Sequence, residues 1–129
     1  MKIYRFEDLE IWKLSLIITK VIYDLVAKER FKHDFVLVNQ IKRATISISS
    51  NIVEGFEKNN NNKFIRFLKI SKGSVGEVRN QINIALITGY IDNVEFNSTN
   101  DKLLQLAKQI GGFIVYLQEK RHNKEFLRK

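Results

Sequence analysis

The sequence contains no cysteine and no proline. Without cysteine the chain can form neither a disulfide nor a thiolate metal site, which fits a reducing compartment. Without proline no position inside a helix loses its backbone hydrogen-bond donor, so long uninterrupted helices are favoured. These two absences exclude disulfide-stapled and zinc-thiolate folds and favour a helical protein.

Long apolar runs are also missing. The longest apolar tracts fall far short of the about 20 residues that a membrane-spanning helix needs. Charged residues interrupt the start of the chain, where a secretory signal would be apolar, namely Arg5, Glu7, Asp8 and Glu10. The sequence therefore predicts no membrane association and a cytoplasmic location.

Residue patterns that support catalysis are scarce. The two histidines, His33 and His122, fall in a predicted loop and in the C-terminal tail, and no His-x-x-x-His pattern occurs. Glu119-x-x-His122 is a single Glu-x-x-His spacing, whereas a di-metal bundle needs such a pair on each of two facing helices. The segment Gly73-Ser74-Val75-Gly76 lacks the Gly-Lys-Ser of a phosphate-binding loop. We therefore predict no catalytic residue, no metal site and no cofactor. A metal-dependent bundle enzyme is the weakest alternative, because the second Glu-x-x-His pair that such a site needs is absent.

What the chain does contain is positive charge. Its 129 residues carry a formal net charge of +8, with a sequence pI of about 9.8. Hydrophobic residues make up 44% of the chain, which is typical of one folded domain, predicted to span residues 1–129. A surface this basic attracts polyanions, nucleic acid above all.

Apolar residues recur at three- and four-residue spacings along four segments, which predicts four amphipathic helices. The predicted helices span about residues 8–29, 35–56, 63–88 and 99–121. Short connections between long helices favour an antiparallel up-down-up-down four-helix bundle, and hence an all-α fold.

Capping residues set these expected boundaries. Glu7 or Asp8 is expected to start the first helix, and Asp34 the second. The run of four asparagines, 59–62, is expected to form a loop, and Gly89 to end the third helix in a left-handed conformation. Ser98, Thr99 or Asn100 is expected to cap the fourth helix after a connection over 90–97.

The segment from Gln40 to Gly55 combines an apolar helix face with an adjoining face of short polar groups. Serine and asparagine compete with the helix backbone for hydrogen bonds, so their concentration indicates close packing rather than a solvated face. Either internal hydrogen bonds of the bundle or a subunit interface would explain them. This polar face, with two serines of the third helix, comprises Gln40, Arg43, Ser47, Asn51, Glu54, Ser71 and Ser74.

Basic residues concentrate in two places. The segment from Lys58 to Arg79 has six basic residues and one acid, and the tail from Lys120 has five basic residues and one acid. Either a solvated charged face or phosphate binding accounts for them. The predicted nucleic-acid-binding residues are Lys63, Arg66, Lys69, Lys72, Arg79, Lys120, Arg121, Lys124, Arg128 and Lys129.

Three motifs together resemble a bacterial four-helix-bundle family known from intervening sequences of 23S ribosomal RNA. They are Phe6-x-Asp8-Leu9-x-x-Trp12, Gln40-Ile41-x-Arg43-Ala44-x-x-Ser47-Ile48-x-x-Asn51-Ile52-x-Glu54-Gly55 and Phe64-x-x-Phe67-Leu68-x-x-Ser71-x-Gly73-Ser74-x-x-Glu77. The resemblance spans nearly the whole chain. It departs at two places, since family members often have Phe-Pro where this chain has Phe31-Lys32, and proline where it has Ser49.

The resemblance implies a four-helix bundle that assembles into a ring-shaped homopentamer without known enzymatic activity. A related group, the accessory variability determinant proteins of diversity-generating retroelements, is similarly basic and pentameric, and it binds nucleic acid and a reverse transcriptase. From the resemblance and the charge we expect a non-enzymatic, oligomeric protein that binds RNA or DNA without sequence specificity. The alternative is a protein-interaction scaffold, such as a reverse-transcriptase accessory subunit, with no direct role on nucleic acid.

Overall fold

Four long α-helices follow one another along the chain, and the computed structural model describes them within residues 3–120. A single 3-10 turn at Phe6–Asp8 precedes the first of them. The helices are α1 (Glu10–Val26), α2 (Phe35–Glu57), α3 (Asn61–Ile87) and α4 (Asn93–Lys120). There is no strand in this part of the chain, so the predicted all-α fold is confirmed.

The helices pack as a square in which α1 and α3 each lie next to both α2 and α4, while the backbones of the diagonal pairs are farther apart. Neighbouring helices run antiparallel. Tyr90, just beyond α3, bonds to Asp34 at the start of α2, and Lys72 in α3 lies against Gly111 late in α4. The predicted up-down-up-down bundle is therefore the observed topology.

Branched apolar side chains from all four helices fill the centre of the square. Because they recur every three or four residues, each helix presents one apolar stripe inward. Burying one such side chain contributes about 1.5–3 kcal/mol. The fully buried members include Ile18, Ile22, Ile41, Ile48, Ile52, Leu68, Ile82, Leu103 and Leu106.

Helix α1 is shorter than predicted at both ends. It begins at Glu10 rather than near residue 8, because Leu9 is extended (φ −74°, ψ 124°) and separates it from the 3-10 turn. No side chain caps α1, so the cap expected from Glu7 or Asp8 is wrong. Those carboxylates lie 3.6 and 3.8 Å from the Arg5 guanidinium instead.

The caps of α2 and α3 explain where these helices begin and end. Asp34 Oδ1 accepts the Leu37 backbone N–H at 3.0 Å, as predicted. Asn60 Oδ1 accepts the Lys63 N–H at 3.0 Å, so the asparagine run supplies a helix cap and α3 begins at Asn61. At its other end Gly89 adopts φ +82°, the left-handed conformation that glycine tolerates best.

Helix α4 begins at Asn93 and not near residue 99. A reciprocal capping box starts it, because the Asp92 N–H donates to Glu95 Oε1 at 2.9 Å and the Glu95 N–H donates to Asp92 Oδ1 at 2.7 Å. The predicted cap residues Ser98, Thr99 and Asn100 lie inside the helix. The signal in the sequence is Asp92-x-x-Glu95, which lies within the predicted connection over 90–97.

The two departures from the family pattern leave the helices intact. Phe31 is fully buried in the α1–α2 connection. Ser49 lies inside the continuous helix α2, where its hydroxyl donates to the Ile46 carbonyl at 3.3 Å. No helix within residues 3–120 is both long and apolar enough to cross a membrane.

Candidate nucleic-acid interface

The ion pairs within residues 3–119 are concentrated on one side of the bundle. In this range, every cation paired with a carboxylate belongs to the N-terminal turn, to α1 or to the α1–α2 connection. Glu95 at the start of α4 is bridged from that connection by Lys28 at 2.7 Å and Arg30 at 3.6 Å. Positive charge on this side is therefore largely neutralised.

The basic residues around α3 have no such partners. Within residues 3–120, no carboxylate oxygen lies within 4.0 Å of the charged nitrogens of Lys58, Lys63, Arg66, Lys69 or Lys72. Each of these side chains is exposed. This region therefore presents uncompensated positive charge to solvent.

One part of this basic region surrounds Phe67. The Lys58 ammonium lies 5.8 Å from the centroid of the Phe67 ring, and the Arg66 guanidinium lies 5.3 Å from it. The ring is half-buried. The site predicted from the sequence omits Lys58. Its position next to the asparagine turn that leads into α3 was the available signal.

A second part is a groove between α3 and α4, with a volume of about 500 Å³. Lys69 and Lys72 line it together with Gly73, Gly111 and Ile114. A Cβ atom built on Gly73 would meet nothing within 4 Å. Gly73 therefore leaves open space beside the two ammonium groups, whereas the Lys72 side chain lies against Gly111. An extended anionic chain can approach the backbone at Gly73.

The remaining predicted basic residues are placed differently. Arg79 is half-buried, and its Nε donates to Asn100 Oδ1 on α4 at 3.2 Å. Lys120, the last described residue, lies 6.0 Å from the Tyr116 ring centroid. Four predicted residues lie outside the described part of the chain, namely Arg121, Lys124, Arg128 and Lys129.

The predicted polar face divides into two parts. Its inner part lies between α2 and α3, where Ser71 Oγ donates to the Ile48 carbonyl at 2.8 Å. Asn51 Nδ2 donates to both the carbonyl and the hydroxyl of Ser47, at 2.8 and 2.9 Å. The Ser47 hydroxyl also accepts a bond from Ser74. These four side chains connect two helices of one chain, as the internal alternative required.

The outer part consists of Gln40, Arg43 and Glu54, all of them exposed. Gln40 and Arg43 line a broad groove of about 750 Å³ that also contains Tyr23 and Ile46. Tyr23 is itself covered by the Lys42 ammonium, 4.8 Å above its ring. This outer part remains available for contact with another molecule.

Perturbed carboxylates lie at the other end of the bundle from Phe67. The Leu37 N–H, and then the Tyr90 hydroxyl, lower the pKa of Asp34, and Asp34 in turn raises the pKa of Tyr90. Hydrogen bonding to Lys32 and then to His33 lowers the pKa of Glu29. Each shift comes from an ion pair, a cap or a hydrogen bond that holds the fold. Among residues 3–120, no group of three or more His, Asp or Glu side chains converges as metal ligands would.

Large apolar side chains are most exposed at that same end. Phe35 and Val36 begin α2, Ile87 ends α3 and Val94 begins α4. Their exposed fractions are 70%, 76%, 82% and 78%. Because neighbouring helices are antiparallel, these three helix ends lie together. The described part of the bundle is therefore polarised, with exposed apolar residues at one end and unpaired cations towards the other.

Comparison with known proteins agrees with this fold. The sequence model of the family described as 23S rRNA-intervening sequence protein matches residues 7–112. The chain is also similar to the crystal structure of a protein with unknown function from the S23 ribosomal protein family of Bacteroides thetaiotaomicron VPI-5482. That similarity has a TM-score of 0.74 at 25% sequence identity and covers 81% of this chain and 97% of the other. No curated protein sequence matches.

Proposed function

The chain belongs to the 23S rRNA-intervening sequence protein family, and on this basis we propose that it is a non-enzymatic protein that binds RNA or DNA through backbone phosphates. The observation that supports the proposal is the set of unpaired cations around α3. These cations need not give up a carboxylate partner to bind a phosphate, whereas those on α1 must.

The arrangement favours phosphate contacts over reading of bases by this surface. Lysine ammonium groups act as point charges, and Lys69 and Lys72 flank an open groove rather than a shaped pocket for one base edge. Binding through such contacts releases counterions, so the affinity depends steeply on salt and little on sequence. RNA and DNA are therefore both expected to bind.

Charge reversal on α3 tests this assignment. The variant Arg66→Glu with Lys69→Glu removes two unpaired cations and is expected to weaken RNA binding by at least about tenfold, since each lost phosphate contact lowers affinity. The matched control is Lys13→Glu with Lys20→Glu on α1, which changes the net charge equally but affects cations already paired with Glu10 and Asp24. Equal losses in the two variants would show that net charge alone drives binding.

We propose further that the protein is a homo-oligomer, and the family resemblance implies a ring-shaped pentamer. Two surfaces support an assembly of copies: the exposed outer part of the polar face, and the apolar end formed by Phe35, Val36, Ile87 and Val94. Exposed apolar side chains grouped in this way favour contact with protein. Light scattering on the purified protein measures the mass directly.

The second candidate function is a protein-interaction scaffold, for example an accessory subunit of a reverse transcriptase as in the related retroelement proteins. The same apolar end supports the scaffold function, because a partner protein could bury these side chains just as another copy of this chain could. In this case a partner recovered with the tagged protein remains bound after nuclease treatment, and the charge reversal on α3 leaves its recovery unchanged. Loss of the partner on nuclease treatment would favour the nucleic-acid proposal.

A further inference from the structure

A cavity of about 350 Å³ lies where the start of α1 meets the C-terminal half of α4. Its walls are mostly apolar, and Leu9 and Ile11 are among the most buried residues of the protein. The cavity is larger than a planar heterocycle and lies within the usual size range of small-ligand sites. Its lining residues are Ile3, Asp8, Leu9, Glu10, Ile11, Gln109, Phe113 and Tyr116.

Gln109, which borders this cavity, has one polar atom without a partner. Gln109 Oε1 is buried without a hydrogen bond in the described structure. Leaving a buried acceptor unpaired is costly, and most such groups in folded proteins are satisfied. The residue lies on the same α4 turns as Phe113 and Tyr116, so an amide and two aromatic rings border one apolar space.

This combination matches the chemistry of a nucleobase. A base has apolar faces that stack on aromatic side chains and an edge with both hydrogen-bond donors and acceptors. A glutamine amide can both accept from and donate to such an edge, adenine being the usual partner. The lining residues include no lysine or arginine, and the carboxylates of Asp8 and Glu10 are ion-paired with Arg5 and Lys13. The cavity therefore favours a neutral base over a phosphate.

The cavity and the basic groove lie on opposite sides of one stretch of α4. At 100° per residue, Gly111 in the groove and Phe113 in the cavity point about 160° apart, with Gly112 facing outward between them. Gly112 is exposed, and a Cβ built there would meet no atom within 4 Å. Because no side chain projects at Gly112, a single-stranded nucleic acid can cross α4 there with its phosphates near Lys69 and Lys72.

We propose that this cavity binds one splayed-out base, preferably adenine, of a single-stranded nucleic acid whose phosphates lie along the basic groove. The phosphate part of this inference rests on the proposed function, while the base pocket is an independent feature of the structure. A duplex keeps its bases stacked, so only single strands or unpaired loops gain from the cavity.

The test compares two single strands of equal length, an oligodeoxyadenylate and its abasic counterpart, which carry the same phosphates. Fluorescence anisotropy is expected to show that the protein binds the strand with bases about tenfold more tightly, as one stacked and hydrogen-bonded base provides. Gln109→Leu keeps the side-chain size but removes the amide, and it should lower the affinity ratio severalfold without changing abasic binding, since the stacking contribution remains.

Two controls separate the possible outcomes. Gln105→Leu changes an exposed glutamine of α4 outside the cavity and should keep the tenfold ratio. Gln109→Leu should melt at or above the wild-type temperature, because it removes a buried unpaired oxygen. Equal binding of both strands by the wild type would overturn the base pocket and leave the phosphate proposal standing. Binding of neither strand at low salt would overturn both.

Discussion

The Ser74 hydroxyl on α3 donates a hydrogen bond to the Ser47 hydroxyl on α2 across 3.0 Å. Asn51 donates to the same Ser47 hydroxyl, so one small side chain accepts from both helices. Larger residues at 47 and 74 would hold α2 and α3 apart. The pair fixes how closely these helices approach, and with them the side of α3 that faces solvent with its basic residues.

Asn51→Leu tests whether this polar contact stabilises the single chain. The substitution removes two hydrogen bonds and leaves the Ser47 carbonyl without one partner, so we expect the free energy of unfolding to fall by about 1–2 kcal/mol. Urea denaturation measures it, with the exposed Asn39→Leu on the same helix as control. The oligomer mass should not change. A changed mass at unaltered stability would place Asn51 at a subunit interface instead.

Arg43→Glu tests the outer part of the same face. Because Arg43 is exposed and has no carboxylate partner in the described structure, its reversal should alter monomer stability by less than about 0.5 kcal/mol. If the outer face joins subunits, the mass measured by light scattering should nevertheless fall. Lys108→Glu, an exposed cation on α4, serves as the control. An unchanged oligomer would remove this face from the proposed assembly.

Gly55 is expected to tolerate no side chain. A Cβ there would lie 2.7 Å from Phe67 Cβ and 2.9 Å from Phe64 Cδ1, so Gly55→Ala should destabilise the bundle by about 1–3 kcal/mol. Gly76→Ala on α3 is the matched control. Its Cβ would meet nothing within 4 Å, so it should stabilise the helix by up to about 1 kcal/mol. If the melting temperatures of both variants shift in the same direction, this packing at Gly55 is contradicted.

Glu95 predicts a pH dependence. Hydrogen bonding to Lys28, and then to the Asp92 N–H, lowers its pKa below the ordinary glutamate value. A carboxyl with a lowered folded-state pKa stabilises the fold above its unfolded pKa, about 4.3, and this contribution is lost as the pH falls through the folded value. Glu95→Gln should therefore be less stable than wild type at neutral pH, with the difference closing below about pH 4. A difference that persists undiminished in acid would contradict the assigned ion pair.

The sequence predicted the four-helix architecture because the spacing of apolar residues along each segment determines which face of the helix is buried. Caps such as Asp34 and Gly89 were equally readable. The start of α4 was missed because Asp92-x-x-Glu95 competes with another run of capping residues only six positions later. Glu95 is also bound by Lys28 and Arg30 from a distant part of the chain, and the local sequence does not indicate these ion pairs.

The site was less predictable than the fold. Composition identified the basic segment. Which of its cations are free to bind phosphate depends on their hydrogen bonds and ion pairs with other helices, and these contacts form only in the folded structure. Arg66 and Arg79 are both arginines of the basic segment, and the sequence does not distinguish them. In the structure Arg79 donates to Asn100, whereas Arg66 lies beside Phe67. The cavity near Gln109 joins residues about one hundred positions apart, and no periodicity in the sequence indicates it.

Nucleic-acid binding by the purified, nuclease-treated protein at two salt concentrations tests the central claim most directly. Structured RNA and duplex DNA should both bind at micromolar concentration or below in low salt. Contacts with at least about three phosphates should give a logarithmic salt slope of about −3 or steeper. Absence of binding at low salt, or an affinity that salt does not change, would contradict a phosphate-binding surface and favour the protein scaffold.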